Sequence, residues 1–185
     1  MANAESALQK EIRQSRPFRS TSHEATVGLL RTADILRQAL SEAVAPYDLT
    51  PQQYNVLRIL RGAGDAGLPT LEISVRMLER APGITRLLDR LEAKSLVRRE
   101  RCPSDRRQVL CWPTEKALAQ LAELDPIVDL LEARTMAVLD EPARQQLVHT
   151  LDAIRAAHPS CSGANTDTPS HAQPGSKPTE ERNQP

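Results

Sequence analysis

Aromatic side chains are nearly missing from this 185-residue chain, which has one Phe, two Tyr and one Trp. So few rings leave little stacking surface for a planar ligand. Cysteine is scarce too. Three cysteines without a CxxC or other paired spacing exclude a disulfide scaffold and point to a reducing, cytoplasmic setting. No run approaches the ~18 apolar residues of a membrane span, so no membrane partner is expected. The first twenty residues carry Glu5, Lys10, Glu11, Arg13, Arg16 and Arg19 without an apolar block, and no secretory signal is read there. Catalytic signatures are absent as well. There is no HExxH, GxSxG, P-loop or GxGxxG. His23, His149, His158 and His171 stand at no ligand or triad spacing from a cysteine or carboxylate. The expectation is a chain without enzymatic activity, cofactor or metal. A net charge of zero, 24 basic against 24 acidic residues, would also argue against a nucleic-acid partner if it were evenly spread.

It is not evenly spread, and neither is the apolar content. Residues 159–185 contain no Leu, Ile, Val or aromatic and five prolines, so they cannot bury enough surface to offset their ordering entropy and are expected to be a disordered tail. Residues 1–22 are weakly apolar and are expected to be a flexible arm. If that arm is helical, Arg13, Arg16 and Arg19 share a face that could touch a DNA backbone. The body, residues 23–158, has an ordinary domain size.

Within the body the apolar spacing is helical. Leu29, Ala33, Leu36, Leu40 and Val44 recur every three or four residues and predict a helix over 23–45, ended by Pro46. Thr50 and Pro51 form an N-cap and first-turn pair. The helix they open ends at the Gly62, Gly64 and Gly67 cluster. Leu71, Val75 and Leu78 predict one face of a short helix. A turn at Ala81-Pro82-Gly83 follows, then a second helix whose apolar side is Ile84, Leu87, Leu88 and Leu91. Two short helices about a tight turn are helix-turn-helix patterning. Residues 96–102 and 108–112 flank Pro103-Ser104-Asp105-Arg106 and read as a β-hairpin, the wing of a winged helix. Beyond it, Thr114 caps a long helix with Ala117, Leu121, Leu124, Val128 and Leu131 on its seam, and Pro126 predicts a kink or break. Asp140 caps a last helix with Ala143, Leu147, Leu151 and Ile154 on one face. The fold class is mainly α with a small β-hairpin: a winged helix-turn-helix over about 50–113, flanked by helices at 23–45 and 115–157.

From Arg76 to Arg107 ten basic residues face five acidic ones, leaving +5 there and −5 on the rest. Nine of the ten are arginines, the residue suited to forked bonds with phosphates and guanine edges. A charge run alone is usually a solvated face. Its coincidence with a helix-turn-helix and a hairpin favours double-stranded DNA as partner.

The run LEISVRMLERAPGITRLLDRLEAKSLVRRERCPSDRRQVLCWPTEKA resembles the winged-helix core of the MarR (multiple antibiotic resistance regulator) family of transcription factors. Its most specific pieces are 84–92 and Asp105-Arg106-Arg107. The resemblance implies a homodimer joined through its first and last helices, with recognition helices in successive major grooves of a pseudo-palindromic operator and wings in minor grooves. By position, it places Pro82, Gly83, Thr85 and Arg86 at base edges and phosphates and Arg90 on a phosphate. It has Asp105 hold the wing arginines by a salt bridge while Arg106 or Arg107 enters the minor groove. Four residues depart from the family pattern. Pro82-Gly83 stands where short hydroxyl residues are usual, shifting contact to backbone N–H groups. Ser95 replaces a frequent Gly, which weakens the expectation of a left-handed helix end. Ala117 replaces another.

The resemblance also implies release of DNA by a small-molecule effector bound between dimer layer and DNA-binding lobe, with Tyr47, Tyr54 and Arg31 as candidate lining. Cys102 and Cys111, on the two arms of the hairpin, are a candidate redox pair if the hairpin brings them within ~7 Å. The sequence reading is therefore a homodimeric, sequence-specific DNA-binding regulator, a repressor released by a small-molecule or redox signal. The alternative is a helical homodimer acting through protein contacts without an operator.

Overall fold

The computed structural model describes residues 6–79, 83–105 and 107–158. The expected tail therefore lies outside the described residues.

Side-chain caps set most helix starts. The Ser20 hydroxyl accepts from His23 N at 3.1 Å, so α2 (Thr21–Val44) begins two residues before the predicted start at His23. At α3 (Pro51–Ala63) Thr50 and Gln53 cap each other: Gln53 N donates to Thr50 Oγ1 at 3.2 Å and Thr50 N to Gln53 Oε1 at 3.1 Å. Gly64, with φ +62°, ends it. Thr114 caps α6 (Glu115–Met136) and Asp140 caps α7 (Glu141–Ala156). Helix α6 runs unbroken through Pro126, so the expected break is not there. The neighbouring turns keep their own hydrogen bonds and Leu121, Leu124 and Val128 stay buried on either side.

The helix-turn-helix consists of α4 (Thr70–Arg76) and α5 (Ile84–Ala93). The wing is β2 (Val97–Arg101) paired antiparallel with β3 (Val109–Pro113). A third strand was not foreseen. The two-residue β1 (Leu68–Pro69) pairs with Leu110 and Cys111, giving the order β1-β3-β2. Two residues carry no alternation for a sequence pattern to show. Leu57 and Leu60 of α3, Ile73 of α4, Leu88 and Leu91 of α5, Cys111 of β3 and Leu121 and Leu124 of α6 are fully buried together. This leucine core replaces the missing rings, each such side chain contributing about 1.5–3 kcal/mol on burial. The one buried aromatic among the described residues is Tyr54.

Two sequence expectations are corrected. The apolar face of α4 is not Leu71, Val75 and Leu78; Leu71 is 75% and Leu78 81% exposed. Ile73 is buried and Met77 packs on the core instead. The segment offers two stripes, and its packing against α3, α5 and β3 selects the second. The described part of the N-terminal arm, from Ser6 on, is folded back. Ser6 caps α1 (Ala7–Glu11), Leu8 approaches Gly28 of α2, and Glu11 Oε1 accepts from Arg31 Nε at 2.8 Å. The chain leaves the helix after Glu11, with Arg13 at φ +53°, so Arg13, Arg16 and Arg19 do not form a helical stripe.

Helices α2 and α7 lie largely outside the core. Of 24 residues in α2 only Val44 is buried, and α7 buries none. Leu29, Leu30, Ile35, Ile127, Leu130, Val148 and Ile154 are exposed in the single chain.

Candidate nucleic-acid interface

Leu87, Leu88 and Leu91 pin one side of α5 to the core, and the 3.6-residue period turns Thr85, Arg86, Asp89 and Arg90 outward. Gly83 starts the helix at φ +95°, a left-handed conformation that strongly favours glycine, and it brings no capping oxygen. The first N–H groups of α5 are thus left for an outside acceptor, at the positive end of the helix dipole and beside Arg86. Pro82 lies outside the described residues.

At its other end α5 closes as a Schellman turn. Leu96 N donates to Leu91 O at 2.9 Å and Ser95 N to Glu92 O at 2.8 Å. Ser95 occupies the left-handed position, φ +59°, despite not being glycine. Leu91 and Leu96, both buried, supply the apolar contact that drives it. Ser95→Gly should therefore raise stability by about 0.5–1 kcal/mol, since a side chain in that region costs ~1–2 kcal/mol and glycine's extra unfolded freedom returns part. A higher urea midpoint at unchanged slope is the expected reading.

The arginines divide into two sets. Arg99 of β2 reaches back to α5, with Nη2 2.7 Å from Asp89 Oδ1 and Nε 2.9 Å from Glu92 Oε2; its side chain is only 22% exposed. The bonds it donates to Glu92 hold its guanidinium charged even more firmly than usual. Arg98 stacks over Trp112, 4.4 Å from the ring centre, and bonds Glu100. Lys94 Nζ pairs with Asp48 Oδ2 at 3.0 Å, and Arg76 with Glu72 at 3.4 Å. These four cations are each paired with a carboxylate of the same chain. Arg86 and Arg90 on α5, with Arg101 and Arg107 on the wing, are exposed and have no ion pair among the described residues. Arg106 lies outside the described residues.

Asp105 works through the backbone. Its Oδ1 accepts from Arg107 N and its Oδ2 from Gln108 Nε2, both at 3.0 Å, while Gln108 N returns to Asp105 O at 2.9 Å. Among the described residues it makes no ion pair with Arg107; Arg106, the other expected partner, lies outside them. An aspartate two residues before an N–H closes the turn more directly.

The hairpin register separates the cysteines. Arg99 opposes Cys111 and Arg101 opposes Val109, so Cys102 sits beside Gln108, its N–H bonded to Gln108 O at 3.0 Å. Three positions along a strand is ~10 Å and the opposite face. Both thiols are free. The Ser104 hydroxyl, 3.2 Å away, draws the Cys102 thiol down, whereas burial pushes the Cys111 thiol up. The two are not brought together.

Behind the wing, Trp112 Nε1 donates to Asp65 O at 2.9 Å and its ring covers Gly67. Across the lobe, Arg61 grips Asp125 of α6 with both terminal nitrogens, at 2.8 and 3.1 Å, holding that carboxyl below the usual carboxylate range.

A model of the MarR family matches residues 47–108, the segment holding the helix-turn-helix and most of the wing. The HTH-type transcriptional regulator TtmR of Methylorubrum extorquens is 34% identical over 118 residues, 64% of this chain and 58% of TtmR. The crystal structure of a MarR transcription factor from Planctomyces limnophilus is 34% identical, with a TM-score of 0.57 over 76% of this chain and 99% of that one. The chain belongs to the MarR family. The transcriptional repressor CouR of Rhodococcus jostii, solved on a 23-mer DNA duplex, is 30% identical, with a TM-score of 0.66 over 77% of this chain and 99% of that one. CouR is also solved with p-coumaroyl-CoA.

A cavity opens between α2, α6 and the winged-helix lobe. Here it measures about 440 Å³, with Leu36, Leu40, Tyr54, Met77 and Val128 among its lining residues. Of the candidate lining residues from the sequence, only Tyr54 is there. Arg31 is engaged by Glu11, and Tyr47 packs beside the core. Burial raises the Tyr54 hydroxyl above its ordinary value. Sequence reading missed Arg37 and Glu79 on the same cavity, because they are 42 residues apart. It also counted Arg101 only as charge. No described helix is long and apolar enough to cross a membrane.

Proposed function

We propose that this MarR-family chain is a homodimeric, sequence-specific DNA-binding transcriptional regulator, a repressor released by a small-molecule effector. The observation that carries the reading is the sorting of cations: Arg86, Arg90, Arg101 and Arg107 stay unpaired among the described residues, on the two elements a winged helix offers to DNA, while their neighbours are consumed by internal carboxylates. Unspent guanidiniums in that arrangement suit α5 in a major groove and the wing in the adjacent minor groove. CouR, a repressor on DNA at 30% identity, supports the same docking. The apolar sides of α2 and α7 support the dimer, since helices of 24 and 16 residues with one buried residue between them need a further surface to cover. A second copy of the chain is the proposed cover. The cavity of about 440 Å³ is the proposed effector site, and CouR's complex with p-coumaroyl-CoA is consistent with such a site.

The test is a salt series on DNA fragments selected by the full chain. Phosphate contacts of a dimer should give a log-affinity slope of several units against log salt. A chain that retains no DNA at low salt would instead act through protein contacts.

A further inference from the structure

Lys94 is the one lysine of the basic run, and it caps the C-terminal end of α5. By spacing, Arg86, Arg90 and Lys94 would make a single stripe of cations on the recognition helix. The structure diverts the third of them. The Lys94 ammonium reaches back to the junction between α2 and α3, where it donates to Asp48 O and pairs with Asp48 Oδ2 at 3.0 Å. A compact ammonium with three donors suits two acceptors on one residue. Asp48 is itself fixed by the chain around it. Its φ is +55°, its N–H bonds Ala45 O at 3.0 Å, and buried Val44 and Leu49 stand on either side. Its carboxylate is largely exposed and adds little, so the bond to its carbonyl carries the contact. At the same helix end, Lys94 O accepts from Lys116 Nζ at 2.9 Å and Ser95 O from Thr114 Oγ1 at 2.8 Å. The last carbonyls of α5, at the negative end of its dipole, are thus held by the start of α6. Asp89 and Glu92 bond Arg99 and so tie the flank of α5 to the wing. Among the described residues, Lys94 is therefore the one hydrogen-bonded side chain joining the recognition helix to the junction after α2.

We propose that Lys94 is a positioning residue: it fixes the far end of the recognition helix to the end of α2, and so sets how the two recognition helices of a dimer are spaced. In the proposed dimer α2 belongs to the shared layer, so a helix tied to its end follows that layer. A tilt of α5 about its C-terminal end carries Arg86, ~12 Å away along the helix, across the groove. One base pair between half-sites shifts the target by only ~3.4 Å and ~35°. An untethered α5 can absorb that difference, whereas a tethered one cannot. Lys94 touches no phosphate, because its donors are taken by Asp48. The proposal rests on the regulator reading for the DNA that is positioned, and not for the bond itself.

Lys94→Met, which keeps the apolar stem and removes the amine, tests it in the full chain. The probes are the DNA fragment selected by the wild type and two altered copies, with one base pair added or removed between the half-sites. The wild type should bind the altered copies more weakly, and Lys94→Met should shrink that discrimination by about fivefold. On the selected fragment its salt slope should stay at the wild-type value, whereas loss of a phosphate contact would lower it by about one. Asp48→Asn keeps the carbonyl and a side-chain oxygen, so its discrimination should stay within about twofold of the wild type. Hydrogen exchange without DNA supplies a second readout. Lys94→Met should speed exchange of the α5 amides by about tenfold and leave α3 and α6 unchanged. A wild type indifferent to spacing, discrimination unaltered by Lys94→Met, a salt slope lower by one, or faster exchange throughout the chain would each overturn the positioning role. A wild type that holds no DNA, with faster exchange in α5 alone for Lys94→Met, would defeat the regulator reading and leave the tether standing.

Discussion

Arg86→Ala should cost about ten- to a hundredfold in affinity for the selected DNA while leaving the melting temperature unchanged. Arg86 is exposed on the first turn of α5, and no carboxylate holds it among the described residues. Its removal therefore disturbs nothing inside the fold. What it takes away is a forked contact to a base edge, worth ~1–3 kcal/mol and sequence-dependent. Arg107→Ala on the wing should weaken all DNA sequences more evenly and lower the salt slope by about one. Arg99→Ala is the contrasting case. It strips Asp89 and Glu92 of their shared cation and unties β2 from α5, so melting temperature and DNA affinity should fall together. A set of binding isotherms beside thermal melts separates the three patterns. If Arg86→Ala binds selected DNA as the wild type does, α5 is not the reading helix.

Gly67→Ala should destabilise the protein by about 2–5 kcal/mol. A Cβ there would stand 2.6 Å from Trp112 Nε1 and 2.8 Å from Cζ2, and closer still to Cε2. The indole has no easy retreat. Its Nε1 is bonded to Asp65 O at 2.9 Å and Arg98 covers its face. The clash adds ~1–3 kcal/mol of overpacking to the ~1–2 kcal/mol of a side chain at φ +66°. Because Trp112 is the one tryptophan of the chain, its fluorescence reports the displacement directly. Gly62→Ala makes the control: nothing lies within 4 Å of its added Cβ, and inside α3 alanine should stabilise by about 0.5–1 kcal/mol. Equal urea midpoints for wild type and Gly67→Ala would show that the wing is not seated as described.

Local chemistry was the most legible part of the sequence. Thr50-Pro51, Thr114 and Asp140 announce helix starts because a capping oxygen bonds an N–H two or three residues on. The long apolar stripes and the hairpin were legible for the same reason. Features decided by distant contacts were not. Leu71, Val75 and Leu78 make as good a stripe as Ile73 and Met77, and only packing against α3, α5 and β3 chooses between them. β1 exists because β3 offers it a free edge. The +5 of the winged helix was correctly placed, but which arginines are free depends on partners such as Asp89 for Arg99 and Asp48 for Lys94. Ser95 shows a local preference overruled, its left-handed turn held by two buried leucines. The candidate cysteine pair failed on register, which composition cannot reveal.

Selection of bound fragments from random DNA by the full chain, with the mass of the complex measured on the winning sequence, addresses the central claim most directly. The fold predicts two copies of the chain on a pseudo-palindrome whose half-sites lie about one helical turn apart, ~10 base pairs. No enrichment over the starting pool, or a single copy on a site without symmetry, would contradict it.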